Sequence, residues 1–320
     1  MRGWFDLSPT LVTALGGIFG LLVAASLVIW ALRRAHPEKD YSELVLRTKS
    51  WWVMAAIFTA ALLVNRVTAL VFLGIVSFLA LKEYLSIIPT RRADRRVLFF
   101  LYLAIPIQYY WVSIGWYGMF IIFVPVYMLL FLPLPMLVIG QTQGFLRAAG
   151  TLHWGLMVTV FSLSHAAYTL MLPAAHNAIG AWRDPHTGAA LMIYLVVLTQ
   201  LNDVAQFVWG KLLGRHKIIP AVSPNKTWEG FLGGVLTTTA LSAALGPWLT
   251  PISLMHAAIL GALLGIAGFV GDVTVSALKR DLGLKDTSHF LPGHGGVLDR
   301  VDSLTYTAPL FLHYVRYFCY

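Results

Sequence analysis

Long, nearly uncharged apolar runs alternate with short polar stretches along the whole chain, and that alternation sets the first expectation. Ten runs stand out: Leu11–Leu32, Trp51–Val64, Val67–Leu81, Val97–Val112, Trp116–Ile139, Leu152–Leu172, Ala189–Trp209, Phe231–Leu249, Met255–Val275 and Leu304–Phe318. A helix needs about 20 apolar residues to cross a bilayer, and several of these runs are shorter. The expected fold is an all-α polytopic integral membrane protein with about nine or ten transmembrane helices and no soluble domain. Leu11–Leu32 has no small-residue cleavage site after it and reads as a retained helix, not a signal peptide. Trp51–Val64 and Val67–Leu81 are separated only by Asn65-Arg66, which is either the tip of a tight hairpin or a polar interruption in one re-entrant unit. Pro106, Pro125, Pro133 and Pro135 fit kinks of the kind membrane helices tolerate. Two regions follow: 1–150, an N-terminal transmembrane region, and 151–320, a C-terminal catalytic region with polar loops at 208–229 and 276–302.

Composition agrees with the pattern: 58% of residues are hydrophobic and only 12% charged, too little polar surface for a soluble chain of 320 residues. The placement of charge adds an orientation. Five loops, 33–50, 82–96, 140–150, 208–229 and 276–302, hold 19 of the 23 lysines and arginines. The positive-inside rule puts these loops in the cytoplasm and both termini outside. The net charge of +9 is then a matter of topology and anionic headgroups, and no basic–aromatic module calls for nucleic acid. Arg91-Arg92 and Arg95-Arg96 either gather anionic lipid or serve as orientation signals alone. The single cysteine, Cys319, excludes an internal disulfide framework, and the ten histidines show no zinc spacing.

Chemistry gathers in two places. Four of the 14 acids lie in 276–302, together with Lys279, Arg280, Lys285 and Arg300. Asp272 sits just before, inside an apolar run, where an ionised carboxylate costs about 2.5–3.5 kcal/mol on insertion scales and marks function. If that helix continues to Arg280, then Asp272, Ser276, Lys279 and Arg280 share one face. Asp299 and Asp302 share another if Gly295-Gly296 opens a helix. Carboxylates for Mg²⁺, cations for phosphate oxygens and bare glycine backbone for close approach suit a metal-bound polyphosphate. The plainer reading of Lys279-Arg280, cations at a helix C-terminus snorkelling to headgroups, leaves Asp272 unexplained. The second place begins at Asn202-Asp203 and runs through Gly210 and Gly214-Arg215 to Ser223-Pro224-Asn225-Lys226-Thr227-Trp228-Glu229-Gly230. Ser223 and Lys226 offer a hydroxyl and a cation. Trp228 is either an interfacial anchor or a base-stacking ring, and Thr227 and Glu229 either cap the next helix or act in the site.

The string from Ser276 to Asp302, Ser-x-Leu-Lys-Arg-x4-Lys-Asp-x-Ser-x2-Leu-Pro-x-His-Gly-Gly-Val-x-Asp-Arg-Val-Asp, resembles the signature of the phosphatidate cytidylyltransferases (CDP-diacylglycerol synthases). Ser223–Gly230 resembles the other conserved block of that family. The stretch after Asp203 departs from it, with Gln206 and Phe207 where many relatives carry Ala-Tyr. The resemblance is densest over 203–302 and implies transfer of a cytidylyl group from CTP to phosphatidate, releasing pyrophosphate. It also implies Mg²⁺, a monovalent cation such as K⁺ beside it, a homodimer and a bacterial inner membrane. On that reading Asp272 and Asp299 are the first-choice metal ligands, with Asp302 and Asp286 supporting. Lys279, Arg280, Lys285 and Arg300 meet the reacting phosphates, and Ser223, Lys226, Asp203 and Ser276 complete substrate binding; His294, a catalytic candidate, either donates to a phosphate, holds Asp299 in place or serves only the turn. Lys226, on the more peripheral loop, is expected to govern CTP binding more than turnover. The rival readings are the same chemistry on another lipid phosphate, and an ion-coupled transporter using Asp203 and Asp272 as a relay.

Overall fold

The computed structural model describes residues 9–91, 94–180, 183–184, 187–288 and 295–320. Within them the apolar runs become helices, because a backbone in hydrocarbon must pair its N–H and C=O groups within its own segment. The chain starts with α1 (Pro9–Ala35), α2 (Ser42–Val64), α3 (Arg66–Ile87) and α4 (Arg95–Ser113). A rod over Tyr117–Val138 follows, made of α5 (Tyr117–Ile122), a π-helical turn at Phe123–Met128, α6 (Leu129–Phe131) and α7 (Pro133–Val138). Pro125 lies in the π turn, where its missing N–H breaks the regular ladder. Next come α8 (Phe145–Leu156), a second π turn at Met157–Phe161, and α9 (Ser162–Thr169). The last part holds α10 (Thr187–Leu213), α11 (Trp228–Leu249), α12 (Leu254–Asp281), the single turn α13 (Leu298–Val301) and α14 (Leu304–Phe318). Among the described residues the strands are β1 (Ala175–His176) and β2 (Arg183–Asp184), an antiparallel pair in the α9–α10 connection.

Six segments among the described residues are long and apolar enough to cross a membrane: Leu11–Ala35, Arg66–Ile87, Tyr117–Val138, Thr187–Leu213, Trp228–Leu249 and Leu254–Asp281. The protein is therefore an all-α polytopic membrane protein. The other four apolar runs are also helical, as α2, α4, the α8–α9 rod and α14, but these helices are shorter or less apolar. The ambiguity around Asn65 resolves into two full helices of 23 and 22 residues. Asn65 itself is extended, and its side-chain oxygen accepts from the Thr68 amide at 2.7 Å, so it ends one helix and caps the next.

α10 is the most buried of the six spans and α1 the least. Packed around α10 are α11, α12, α14 and α9, with α3 and α4 behind α9. Polar side chains stitch this apolar interior. Asn202 of α10, fully buried, donates to the Gly265 carbonyl of α12 at 3.3 Å and accepts from Thr238 of α11 at 3.0 Å. Thr199 reaches Thr307 of α14 at 3.0 Å, and Tyr109 of α4 donates to the Leu73 carbonyl of α3 at 2.9 Å. Such bonds hold transmembrane helices in register because lipid offers the same groups no partner. Gly230 lets α11 cross α10 closely: a Cβ there would lie 2.8 Å from the Gln206 carbonyl oxygen.

Candidate active site

α12 runs unbroken through Arg280, so Asp272, Ser276, Lys279 and Arg280 share the expected face. The helix ends in its own cations, and Gly283, at φ 69°, turns the chain away. Asp272 and Lys279 each meet a partner from another element. Asp272 Oδ2 lies 2.6 Å from Lys226 Nζ, while Ser276 Oγ donates to Asp272 Oδ1 at 3.3 Å. Lys226 also donates to Gln206 Oε1 of α10 at 3.0 Å. The loop before α11 is thus no periphery. Its lysine stands at the carboxylate of α12, so the expected peripheral placement of Lys226 is corrected. The ends of the motif loop show why: Thr227 caps α11 by accepting from Gly230 N at 3.2 Å, and Glu229 accepts the Arg215 and His216 amides. The capping role therefore holds for Thr227, whereas Glu229 ties the Arg215–His216 backbone after α10 to the start of α11. Trp228 stands half-exposed beside Phe231.

Asp299 is built differently. One oxygen, Oδ2, accepts Thr287 N at 2.9 Å, Thr287 Oγ1 at 2.8 Å and Gly296 N at 3.0 Å. The other, Oδ1, faces Lys279 Nζ at 2.7 Å. Burial works to raise this carboxyl, but the Lys279 ammonium and the Gly296 and Thr287 amides outweigh it and hold Asp299 below the usual carboxylate range. Gly295 adopts φ 77°, which favours glycine, and a Cβ on Gly296 would collide with Thr287 Oγ1 and Glu83 Oε2. The paired glycines were expected to admit phosphate. In the structure Gly296 makes room for a carboxylate of the chain itself.

Asp302 is buried and lies close enough to Asp272 and Asp203 for their charges to act on it. Burial first, then those two carboxylates, push it well above the ordinary value. Asp203 accepts from Ser303 Oγ at 3.1 Å, and Ser303 N bonds Asp302 Oδ1 at 2.7 Å, so α10, α12 and the start of α14 converge here. Arg300 is near enough to temper Asp302, and its Nε is buried without a hydrogen-bond partner among the described residues. Arg280 donates to the Val222 carbonyl at 3.2 Å and the Leu284 carbonyl at 3.2 Å, bracing the Ser223 loop against the end of α12. Lys285 and Asp286 are exposed at the rim, and Ser223 is half-buried in the turn before Lys226. His294 lies outside the described residues. Arg91 is committed elsewhere, to Asp94 through two bonds and to the carbonyls of Gln141 and Gln143, so it serves a turn and is not offered to lipid.

Among the described residues no three histidine, cysteine or acidic side chains stand at metal-ligand spacing. Mg²⁺ asks for less, since one or two carboxylates with substrate phosphates and water suffice. The two lysine ammonium groups at 2.6 and 2.7 Å show that Asp272 and Asp299 each present an oxygen to a cation. Glu83 is the residue that sequence reasoning passed over, hidden in a stretch whose lysine and arginines suggested only orientation. It joins the Asp299 loop to α3 through bonds from Val297 N at 2.9 Å and Leu298 N at 2.8 Å.

Residues 45–318 match the model of the cytidylyltransferase family. The chain belongs to that family. An uncharacterized protein, YnbB, of Escherichia coli K12 is 42% identical over 307 residues, covering 96% of this chain and 99% of that protein. The phosphatidate cytidylyltransferase of Staphylococcus saprophyticus is 35% identical over 154 residues, 47% of this chain and 59% of that enzyme. That of Staphylococcus aureus strain COL is 36% identical over 155 residues, with the same shares. The chain thus spans little more than half the length of the staphylococcal enzymes.

Proposed function

We propose that this protein transfers a cytidylyl group from CTP to phosphatidate, giving CDP-diacylglycerol and pyrophosphate, at a cytoplasmic face of a bacterial inner membrane. The observation that carries the reading is the contact of Lys226 with Asp272, which brings the two motif blocks onto one site. The names of the staphylococcal relatives support the choice of lipid. A phosphate monoester is already anionic near neutral pH, so its oxygen attacks the α-phosphorus of CTP without a general base. A new P–O bond forms as the bond to the β-phosphate breaks, and the electron pair leaves with pyrophosphate.

The obstacle is repulsion between polyanions, and the site residues address it by neutralisation and alignment. Asp272 and Asp299 would hold Mg²⁺, which supplies positive charge to the phosphates when bound. Asp299 suits the task because its Oδ2 is fixed by three donors while Oδ1 points to a cation. Lys226 and Lys279, resting on those carboxylates, are placed to turn to phosphate oxygens, and Arg300 adds positive charge beside Asp302. Asp302 and Asp203 make the surroundings favourable to a second cation, and K⁺ and a homodimer belong to the same reading. The test is an assay of purified protein with labelled CTP, Mg²⁺ and a panel of lipid phosphates, scoring label that partitions into organic solvent. Phosphatidate should be labelled best, and Asp272→Asn should abolish labelling while leaving folded protein in the membrane. Strong labelling of a different lipid phosphate, or near-normal activity of Asp272→Asn, would overturn the assignment.

A further inference from the structure

Glu83 is an acid in the last turns of α3, far in sequence from both motif blocks, and it is buried. Its carboxylate accepts three hydrogen bonds from the segment that carries Asp299. Oε1 takes Val297 N at 2.9 Å and Ser288 Oγ at 2.8 Å, and Oε2 takes Leu298 N at 2.8 Å and lies 3.3 Å from Thr287 Oγ1, whose one proton is turned to Asp299 at 2.8 Å. No cation pairs with it among the described residues, so the loop's own donors are what hold its charge. Thr287 Oγ1 stands between Glu83 Oε2 and Asp299 Oδ2, within hydrogen-bond reach of both carboxylates. The amides fall in sequence as well: Gly296 N goes to Asp299, and Val297 N and Leu298 N go to Glu83. The two carboxylates therefore share one threonine and one three-residue run of backbone, and moving Glu83 must move Oδ2 of Asp299.

The anchor is itself anchored. The neighbouring Tyr84 donates to the Thr151 carbonyl at 2.8 Å, and its ring lies against Gly155, where a Cβ would collide with it. Trp154 packs on the same ring at 5.6 Å between centroids. That grip from α8 fixes the backbone at the end of α3 and leaves Glu83 little freedom to follow a loose loop. Burying an acid is costly unless donors meet it, so Glu83 and the two backbone amides it accepts from hold each other in place.

We propose that Glu83 is a positioning residue for the Asp299 carboxylate, a brace by which α3 aims Asp299 Oδ1 at the cation it is to hold. This rests on the proposed cytidylyl transfer and deepens it. Gln is no substitute: each Glu83 oxygen faces one backbone N–H, so an amide NH₂ would set donor against donor at Val297 or Leu298. Glu83→Gln should therefore behave like Glu83→Ala and not like wild type, although it keeps the size of the side chain.

The experiment uses full-length protein in detergent micelles and reads hydrogen exchange and kinetics together. In both variants, without Mg²⁺ or substrate, amides over 295–301 should exchange about 10- to 100-fold faster while α10 and α12 keep wild-type protection. With labelled CTP and phosphatidate, kcat should fall about 10- to 100-fold and the Mg²⁺ concentration for half-maximal rate should rise, with KM for CTP within about threefold. Unchanged exchange at 295–301 would overturn the brace. Loss of protection spread evenly through α10 and α12, with wild-type kcat in the protein that remains folded, would overturn it in favour of general stability. Should wild type transfer no cytidylyl group, the function reading fails, and the exchange measurement still decides the brace.

Discussion

At the scale of single residues, the site is a set of carboxylates each answered by a different combination of donors. Asp272 has a lysine and a serine; Asp299 has a lysine, a threonine and a backbone amide; Asp203 has a serine. Lys226 is the residue whose expected behaviour changes most once its contacts are known. Its ammonium lies 2.6 Å from Asp272 and its side chain is only 21% exposed, which under the proposed transfer would put it beside the reacting phosphates. Lys226→Ala should lower kcat by about 30- to 1,000-fold, the equivalent of about 2–4 kcal/mol, and change KM for CTP far less. Steady-state kinetics with CTP and lipid varied separately checks this. A variant with raised KM and intact kcat would return Lys226 to the peripheral role its loop position suggested.

At the scale of elements, close helix crossings decide which glycines matter. The α10–α11 crossing at Gly230 brings backbone to backbone, so an added methyl meets the Gln206 carbonyl oxygen at 2.8 Å and the Gly210 Cα at 3.0 Å, atoms that cannot swing aside. Gly230→Ala should cost about 1–3 kcal/mol by overpacking, and the strained crossing also carries Lys226. Gly17 in α1 is the contrasting case, with nothing within 4 Å of the position its Cβ would take. Gly17→Ala should be neutral or stabilising by up to about 1 kcal/mol, since alanine is the better helix former. Thermal unfolding of the two variants in one detergent gives the comparison; equal shifts in the same direction would contradict it.

For the whole molecule, the helices separate two ends. α10 has 27 residues and so spans about 40 Å, with the β1–β2 pair before it and the loop bearing Lys217 after it. Thr227, Lys226 and the Asp299 loop lie at the latter end, whereas Ala178 N bonds the Thr250 carbonyl at 3.0 Å at the former. With Cys319 replaced, a cysteine at Lys217 or Lys285 should resist an impermeant thiol reagent in intact cells, and one at Arg183 should react. Labelling of the Lys285 position from outside would place the site on the wrong face of the membrane and remove access to cytoplasmic CTP.

Helix existence, the apolar class and the two chemical blocks were legible along the chain, because lipid imposes a long, continuous pattern that local sequence must carry by itself. The shared face of Asp272 and Lys279 was legible for the same reason, being a matter of helical repeat alone. The break at Asn65 was decided only by the folded chain, since a short polar interruption suits either a corner or a re-entrant turn. So did every pairing between elements. Nothing in the spacing of Lys226 and Asp272, or of Lys279 and Asp299, says which lysine meets which acid. Glu83 was illegible altogether: it sits among basic residues in a stretch with no motif, and only the packing of α3 against α13 and α8 brings it under the Asp299 loop. A pattern along one helix is local and repeats, so it can be read from the sequence. A hydrogen bond between residues 83 and 298 depends on where two helices cross, and only the folded chain decides that.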